Sequence, residues 1–151
     1  MDLYKLLHED HQKVKSLLKE LEDTTERAEK TRERLIKEVE MELTIHSEAE
    51  EKFLYPRLQK ISETKDLAYE ALEEHKVVKT LLTELVSEPK GTDEWTAKLS
   101  VLKENVEHHI EEEEGELFAK SKRALAREEA ESIGDSIMAY KEEHAEVETE
   151  G

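Results

Sequence analysis

His11-Gln-Lys-Val-Lys-Ser-Leu-Leu-Lys-Glu-Leu21 lies over His75-Lys-Val-Val-Lys-Thr-Leu-Leu-Thr-Glu-Leu85 with seven identities in eleven positions, at an offset of 64. His46-Ser-Glu-Ala-Glu-Glu-Lys-Phe-Leu-Tyr55 lies over His109-Ile-Glu-Glu-Glu-Glu-Gly-Glu-Leu-Phe118 at an offset of 63, matching a histidine, paired glutamates, a leucine and an aromatic. Four of the chain's seven histidines coincide in this way. The 151 residues therefore read as two helical hairpins of one pattern. Each hairpin brings one lone histidine from its first helix and one His-x-x-x-Glu from its second. Packed antiparallel about an approximate two-fold, the two sets meet in the core of a four-helix bundle.

Residues four apart on a helix share a face, so His46 with Glu50, and His109 with Glu113, approach one point. His11 and His75 interrupt apolar stripes and are expected to point inward. Four imidazoles and two carboxylates buried in one layer are costly without a compensating cation. His11, His46, Glu50, His75, His109 and Glu113 are therefore the expected ligands of two metal ions. This donor set suits iron, manganese, zinc or copper, in that order of preference. Six protein ligands leave positions on two six-coordinate ions for bridging oxygen and an external small molecule. Alone, His11 or His75 reads as a hydrogen-bonded core residue, and one His-x-x-x-Glu as a surface ion pair. The pair of pairs carries the metal reading. His8 reads as a boundary residue near the bundle end, with an extra ligand or supporting role as the alternative. His108 is expected to pack or to support a ligand, and His144 to be solvated. Glu51 and Glu114 follow the expected ligands and are possible substitutes for them. Tyr4 and Tyr55 are expected near the site, with aromatic packing as the favoured reading and a redox or hydrogen-bonding role as the alternative.

The bulk numbers exclude several other chemistries. The chain has no cysteine, hence no disulfide, zinc ribbon, cysteine-ligated cluster or thiol nucleophile. Its net charge of −17 opposes binding to nucleic acid and to anionic lipid. No stretch approaches the roughly 18–20 apolar residues that span a membrane, and the N-terminus lacks a secretory pattern. A cytoplasmic protein is the expectation.

Four glycines and two prolines punctuate the chain, and apolar residues recur at three- and four-residue spacing. Helices are expected over about Asp2–Asp23 (capped by Asp2), Glu26–Gln59 (frayed at its polar start and kinked or ended by Pro56), and Lys65–Ser87. A fourth is expected from a cap at Asp93 to about Lys122. Glu88–Thr92 reads as a loop. A short C-terminal helix carries Ile133, Ile137 and Met138 and is weakened by Gly134. Residues 1–141 form the bundle domain on this reading, and residues 142–151 a disordered tail.

With these motifs in hand (Asp10-His11, His46-x-x-x-Glu50, Glu74-His75, and His109-x-x-x-Glu113-Glu114 before Leu117-Phe118), the chain resembles the hemerythrin-like, or HHE cation-binding, domain family from about Asp2 to Lys141. The resemblance implies an all-α, antiparallel four-helix bundle with a non-haem di-iron site, the same six ligands, and Glu50 and Glu113 as carboxylate bridges. It implies a small ligand such as dioxygen, nitric oxide or hydrogen peroxide, and a possible electron-donor protein. Oxygen-carrying members place another histidine where this chain has Lys79. They also use an aspartate where it has Glu114, beside Glu113. The pattern is more similar to bacterial members with histidines and two glutamates, and to the hemerythrin-like domain of an iron-responsive F-box protein. Binding, sensing, turnover of peroxide or nitric oxide, and an iron-responsive structural role all remain open, because fold and ligand set do not fix the reaction.

Overall fold

The computed structural model describes residues 1–150, with side chains through residue 145. The chain forms α1 (Leu3–Glu22), α2 (Glu29–Ala49), α3 (Tyr55–Leu58), α4 (Lys65–Ser87), α5 (Asp93–Glu112), α6 (Phe118–Ala124) and α7 (Arg127–Glu150). A π-helical turn, Glu50–Leu54, joins α2 to α3 without a break, and another, Glu113–Leu117, joins α5 to α6. The bundle thus has four long rods: α1, α2 with α3, α4, and α5 with α6.

Capping follows the local chemistry. The Asp2 carboxylate accepts from the amides of Tyr4 and Lys5, as expected. The cap of α5 is Thr92, whose hydroxyl accepts from the Trp95 amide; Asp93 is the first helical residue instead. α2 starts at Glu29 and not at Glu26, since no side chain caps the polar stretch before it. Pro56 falls in α3 directly after the π turn, and the rod ends at Leu58, one residue before the expected end.

Two apolar clusters fill the bundle. One contains Val14, Leu18, Leu21, Leu35, Val39, Val78, Leu82, Leu85, Trp95, Leu99, Leu102 and Val106. The other contains Leu3, Leu7, Leu54, Tyr55, Leu58, Ala68, Ala71, Leu117, Phe118, Ile133 and Ile137. Along each rod the histidines and the two glutamates fall between these clusters, so one buried polar layer separates them.

The end of the bundle remote from that layer closes on a cation. Arg32 is buried; its guanidinium donates to Thr24 Oγ1 at 2.9 Å and to the Lys90 carbonyl at 2.6 Å. It also lies 4.9 Å from the centroid of Trp95, whose indole N–H donates to the Leu85 carbonyl at 2.8 Å. One side chain thus ties the α1–α2 loop to the α4–α5 loop.

The C-terminal helix differs from the expected short element. Its backbone is helical through Glu150, whereas the sequence placed a disordered tail from residue 142; residue 151 and the side chains of residues 146–150 lie outside the described structure. Gly134 serves the helix more than it weakens it. A Cβ there would meet the Met1 carbonyl at 2.5 Å and the Leu3 amide nitrogen at 3.2 Å, so the absence of a side chain lets α7 lie against the start of α1. Ile133 and Ile137 then enter the core, and the Tyr140 hydroxyl donates to Glu48 Oε2 at 2.6 Å.

Truncating Arg32 would strand the Lys90 and Thr24 acceptors and remove charged hydrogen bonds. Arg32→Ala is expected to cost about 2–3 kcal/mol in urea unfolding of the metal-free protein. A loss below about 0.5 kcal/mol would contradict the role given to this contact.

Candidate metal centre

Each element delivers its donor for a local reason. His11 follows the apolar run of α1 at helical spacing from Leu7 and Val14, so its ring enters the bundle. His75 does the same on α4 between Ala71 and Val78. His46 and His109 lie in the last turns of α2 and α5, and Glu50 and Glu113 each open a π turn. In those turns the amide of Tyr55 bonds to the Glu50 carbonyl, and that of Phe118 to the Glu113 carbonyl, five residues apart. The wider turn keeps Glu50 and Tyr55, and likewise Glu113 and Phe118, on the inner side. π turns inside α-helices recur at functional sites.

All six side chains expected from the sequence enter one layer, and all six residues are buried. Glu50 Oε1 lies 3.1 Å from His46 Nε2 and 3.4 Å from His75 Nε2. Glu113 Oε1 lies 3.2 Å from His11 Nε2, while its Oε2 lies 3.2 Å from His109 Nε2. Each carboxylate therefore spans imidazoles from both hairpins. The donor atoms form two groups, His11 with His46 and Glu113, and His75 with His109 and Glu50, each with its atoms within 4.8 Å of one another. Ring centroids are 4.9 Å apart within each histidine pair.

The fit to a cation rests on atoms without partners. Among the described residues, Nε2 of His11, His46 and His109, both oxygens of Glu50, and Oε1 of Glu113 are buried and have no hydrogen bond. A buried polar atom left in this way costs about 1–3 kcal/mol, and more when charged. Lone pairs from imidazole and carboxylate pointed at one another are satisfied together by a positive ion.

The outward nitrogens are all occupied. Nδ1 of His46 bonds Asp10 Oδ2 at 2.8 Å, and Nδ1 of His109 bonds Glu74 Oε1 at 2.8 Å. Nδ1 of His75 bonds Glu51 Oε2 at 2.8 Å, and Nδ1 of His11 bonds Glu114 Oε2 at 2.5 Å. A carboxylate on Nδ1 fixes the ring and leaves Nε2 as the inward donor, the arrangement metal-binding histidines use. The repeat sets these contacts too. Asp10 and Glu74 precede the first-helix histidines and bind the second-helix histidine of their own hairpin. Glu51 and Glu114 follow the inner glutamates and bind the first-helix histidine of the other hairpin.

Glu51 and Glu114, possible substitutes for the ligands on the sequence, are hydrogen-bond partners of histidines, because one residue beyond Glu50 or Glu113 the helix turns its side chain away from the layer. The role of Asp10 and Glu74 was missed, although Asp10-His11 and Glu74-His75 stand in the sequence as a repeated acid–histidine pair. Tyr55 is not merely a packing aromatic: it is fully buried, and its hydroxyl donates to Glu113 Oε2 at 2.6 Å, 3.4 Å from His75 Nε2. Its repeat counterpart is Phe118, which has no hydroxyl. Tyr4 does pack, edge-on to Phe118, with its hydroxyl 2.9 Å from Ser121 Oγ. His8 bonds Glu114 Oε1 at 2.8 Å and so supports His11 from outside. His108 neither packs nor supports a ligand; it is exposed and pairs with Glu112 at 3.0 Å. His144, expected to be solvated, is instead half-buried: its Nδ1 donates to the Tyr140 carbonyl at 2.8 Å and its ring stacks on that of Tyr140, 3.8 Å between centroids. A surface group of Glu74, His108 and Glu112 has mostly exposed side chains that water can serve.

Charge in the layer is strongly coupled. Burial lowers the His109 pKa, but the neighbouring Glu113 and Glu74 carboxylates outweigh it and push it up to about 10. Burial is likewise outweighed at His46, by Glu50 and Asp10, and at His75, by Glu50 and Glu51; both titrate above their usual value. Burial alone would raise the Glu113 carboxyl, yet its neighbours Glu50, His109 and His11 hold it well below the usual carboxylate range. Burial, then the charges of Glu113 and Glu50, push the Tyr55 phenol well above its usual value, so it stays a neutral donor.

Residues 2–121 match the sequence profile of the hemerythrin HHE cation-binding domain. The chain belongs to this family. A crystal structure of a hemerythrin HHE cation-binding domain-containing protein from Mycobacterium kansasii superposes with a TM-score of 0.82 at 25% identity, covering 95% of this chain and 87% of that one. A protein of Nostoc sp. named DNA nickase is 29% identical over 141 residues, which are 93% of this chain; the chain spans only 39% of that relative's length. This HHE domain is thus a metal-binding helical bundle with histidine and glutamate groups gathered in its core. Among the described residues, no helix is long and apolar enough to cross a membrane.

In the metal-free domain the raised pKa values keep protons on imidazoles that a cation must displace. Metal loading is therefore expected to release protons at neutral pH, and apparent affinity to fall as pH falls. A dye-monitored titration in weak buffer checks this. Loading at pH 7 with no proton release would contradict the charge state derived for His46, His75 and His109.

Proposed function

We propose that this HHE domain holds two iron ions between His11, His46, Glu50, His75, His109 and Glu113, and uses them to bind, sense or react with a small oxidant or diatomic molecule. The observation that carries this reading is the set of buried, unpartnered donors facing one another from both hairpins. Four imidazole nitrogens and two carboxylates suit iron or manganese, and no thiolate is present to favour a softer metal. Reduced iron would supply electrons and open coordination positions for dioxygen, nitric oxide or hydrogen peroxide.

The chain's own residues supply the rest. Glu50 and Glu113 span the two histidine pairs and can hold both ions as their charge changes. The Nδ1 partners Asp10, Glu51, Glu74 and Glu114 orient the rings. The apolar clusters on either side of the layer limit water. Tyr55 holds a proton on its hydroxyl, aimed at Glu113, where it stabilises negative charge. Lys79, which lies in α4 one turn beyond His75, provides no imidazole, so this chain would offer one donor fewer there than an oxygen carrier does. Reduction by an electron-donor protein in the cytoplasm would complete a cycle. The net charge of −17 argues against contact between this domain and nucleic acid. The name DNA nickase belongs to a relative of which this domain spans a minor part.

Metal analysis of His11→Ala, His75→Ala and Glu113→Ala is expected to show less than the unsubstituted metal content or an altered iron spectrum in each, with His144→Ala unchanged. Native content and spectrum in all three would remove the ligand assignment. Anaerobically reduced, iron-loaded protein is then mixed with dioxygen, nitric oxide or peroxide in a stopped-flow instrument. A spectral change saturating near one equivalent indicates binding, and consumption of many equivalents indicates turnover. No change with any of the three would overturn the small-molecule reading and leave an iron-responsive structural module.

A further inference from the structure

The two repeats are equivalent in their inner donors and unequal in what stands behind them. In hairpin one, Asp10 accepts from His46 Nδ1 on Oδ2 at 2.8 Å and from the Lys141 ammonium on its other oxygen, Oδ1. In hairpin two, Glu74 occupies the same register and bonds His109 Nδ1 in the same way. No lysine or arginine pairs with Glu74 among the described residues; besides His109, its charged neighbours are Glu112 and His108. The second carboxylate of each group repeats the contrast. Glu114, behind His11, also takes a bond from His8, whereas Glu51, behind His75, is 42% exposed and pairs with no lysine or arginine among the described residues.

Lys141 lies on α7, beyond residues 2–121 that match the family profile. Nothing in the hairpin repeat accounts for it. α7 nonetheless packs on α1 and α2, is admitted by Gly134 at the start of α1, and is tied to Glu48 through Tyr140. This docking carries the Lys141 ammonium to a carboxylate that is itself nearly buried, with 9% of its side chain exposed. Asp10 thereby has both oxygens engaged and cannot rotate without breaking a charge-assisted bond.

We propose that Lys141 is a positioning residue of the metal centre. It locks Asp10, and through Asp10 the His46 ring, so that the ion held by His11 and His46 leaves more slowly than the ion held by His75 and His109. The opposite effect, withdrawal of electron density from Asp10 by the ammonium, works on donor strength. It is outweighed because Asp10, with 9% of its side chain exposed and both oxygens bound, holds His46 more firmly than Glu74, with 28% exposed and, among the described residues, no ammonium on its other oxygen, holds His109. The inference rests on the two-metal reading above, which it deepens by making the two positions unequal.

The test uses the full chain loaded anaerobically with two equivalents of ferrous iron and then mixed with an excess of a coloured ferrous chelator. Release from the unsubstituted protein is expected in two phases of equal amplitude. Lys141→Met is expected to speed the slow phase about tenfold, the scale on which partners of metal-bound histidines act, and to leave the fast phase unchanged. Lys141→Arg, which keeps a cation on α7, restores the slow phase. Thermal unfolding of the metal-free Lys141→Met protein separates positioning from loss of the helix. If α7 matters only to folding, both phases accelerate together and the metal-free midpoint falls in step, which overturns the proposal. Equal release of both ions from the unsubstituted protein, or an unaltered slow phase in Lys141→Met, also overturns it while leaving the two-metal reading intact. Retention of fewer than two ions by the unsubstituted protein before chelator is added overturns both.

Discussion

Four imidazoles and two carboxylates are held in one cross-section of this bundle, away from water, with their inward lone pairs facing one another. Without a positive ion that layer would leave polar atoms unsatisfied in a medium where each is expensive. Most of the structure can be understood as the means of tolerating it. The two apolar clusters lie on either side and keep the rods together where the layer cannot. The far end is drawn closed by Arg32 and Trp95, remote from the centre. Each imidazole is fixed from behind by a carboxylate, so only one nitrogen per ring is free to face inward.

The repeat organises this arrangement at two depths. The inner donors repeat as His11 with His75, His46 with His109, and Glu50 with Glu113. Their outer partners repeat as Asp10 with Glu74 and Glu51 with Glu114. Because Glu51 and Glu114 reach across to the opposite hairpin, the hairpins are linked through their histidines as well as through the apolar core. The departures from symmetry stand out against that regularity. Tyr55 carries a hydroxyl where Phe118 has none, and α7 brings Lys141 to one hairpin alone.

Much of this was legible from the residues. Lone histidines in apolar stripes, and histidine and glutamate four apart, are enough to place six side chains in one layer, because helix periodicity fixes which face each occupies. The rods and their loops follow from apolar spacing and from the Glu88–Thr92 break. The π turns were not legible, since apolar spacing does not mark the extra residue: Leu54 and Tyr55 are both buried, and so are Leu117 and Phe118. The buried role of Arg32 was hidden because its partners include the Lys90 carbonyl on a distant loop and an indole ring sixty-odd residues away. α7 was read as short because Gly134 counts against a helix in isolation; its value depends on the close backbone of Met1 and Leu3, which local sequence does not reveal.

The claim on which everything else depends is that this layer holds two metal ions. Anomalous diffraction from crystals of the iron-loaded protein, with data on both sides of the iron absorption edge, tests it directly. Two iron peaks are expected inside the bundle, one at bonding distance from Nε2 of His11 and His46 and the other from Nε2 of His75 and His109, with Glu50 and Glu113 within reach of both. A single peak, or iron found only at surface carboxylates such as Glu74 and Glu112, would contradict it.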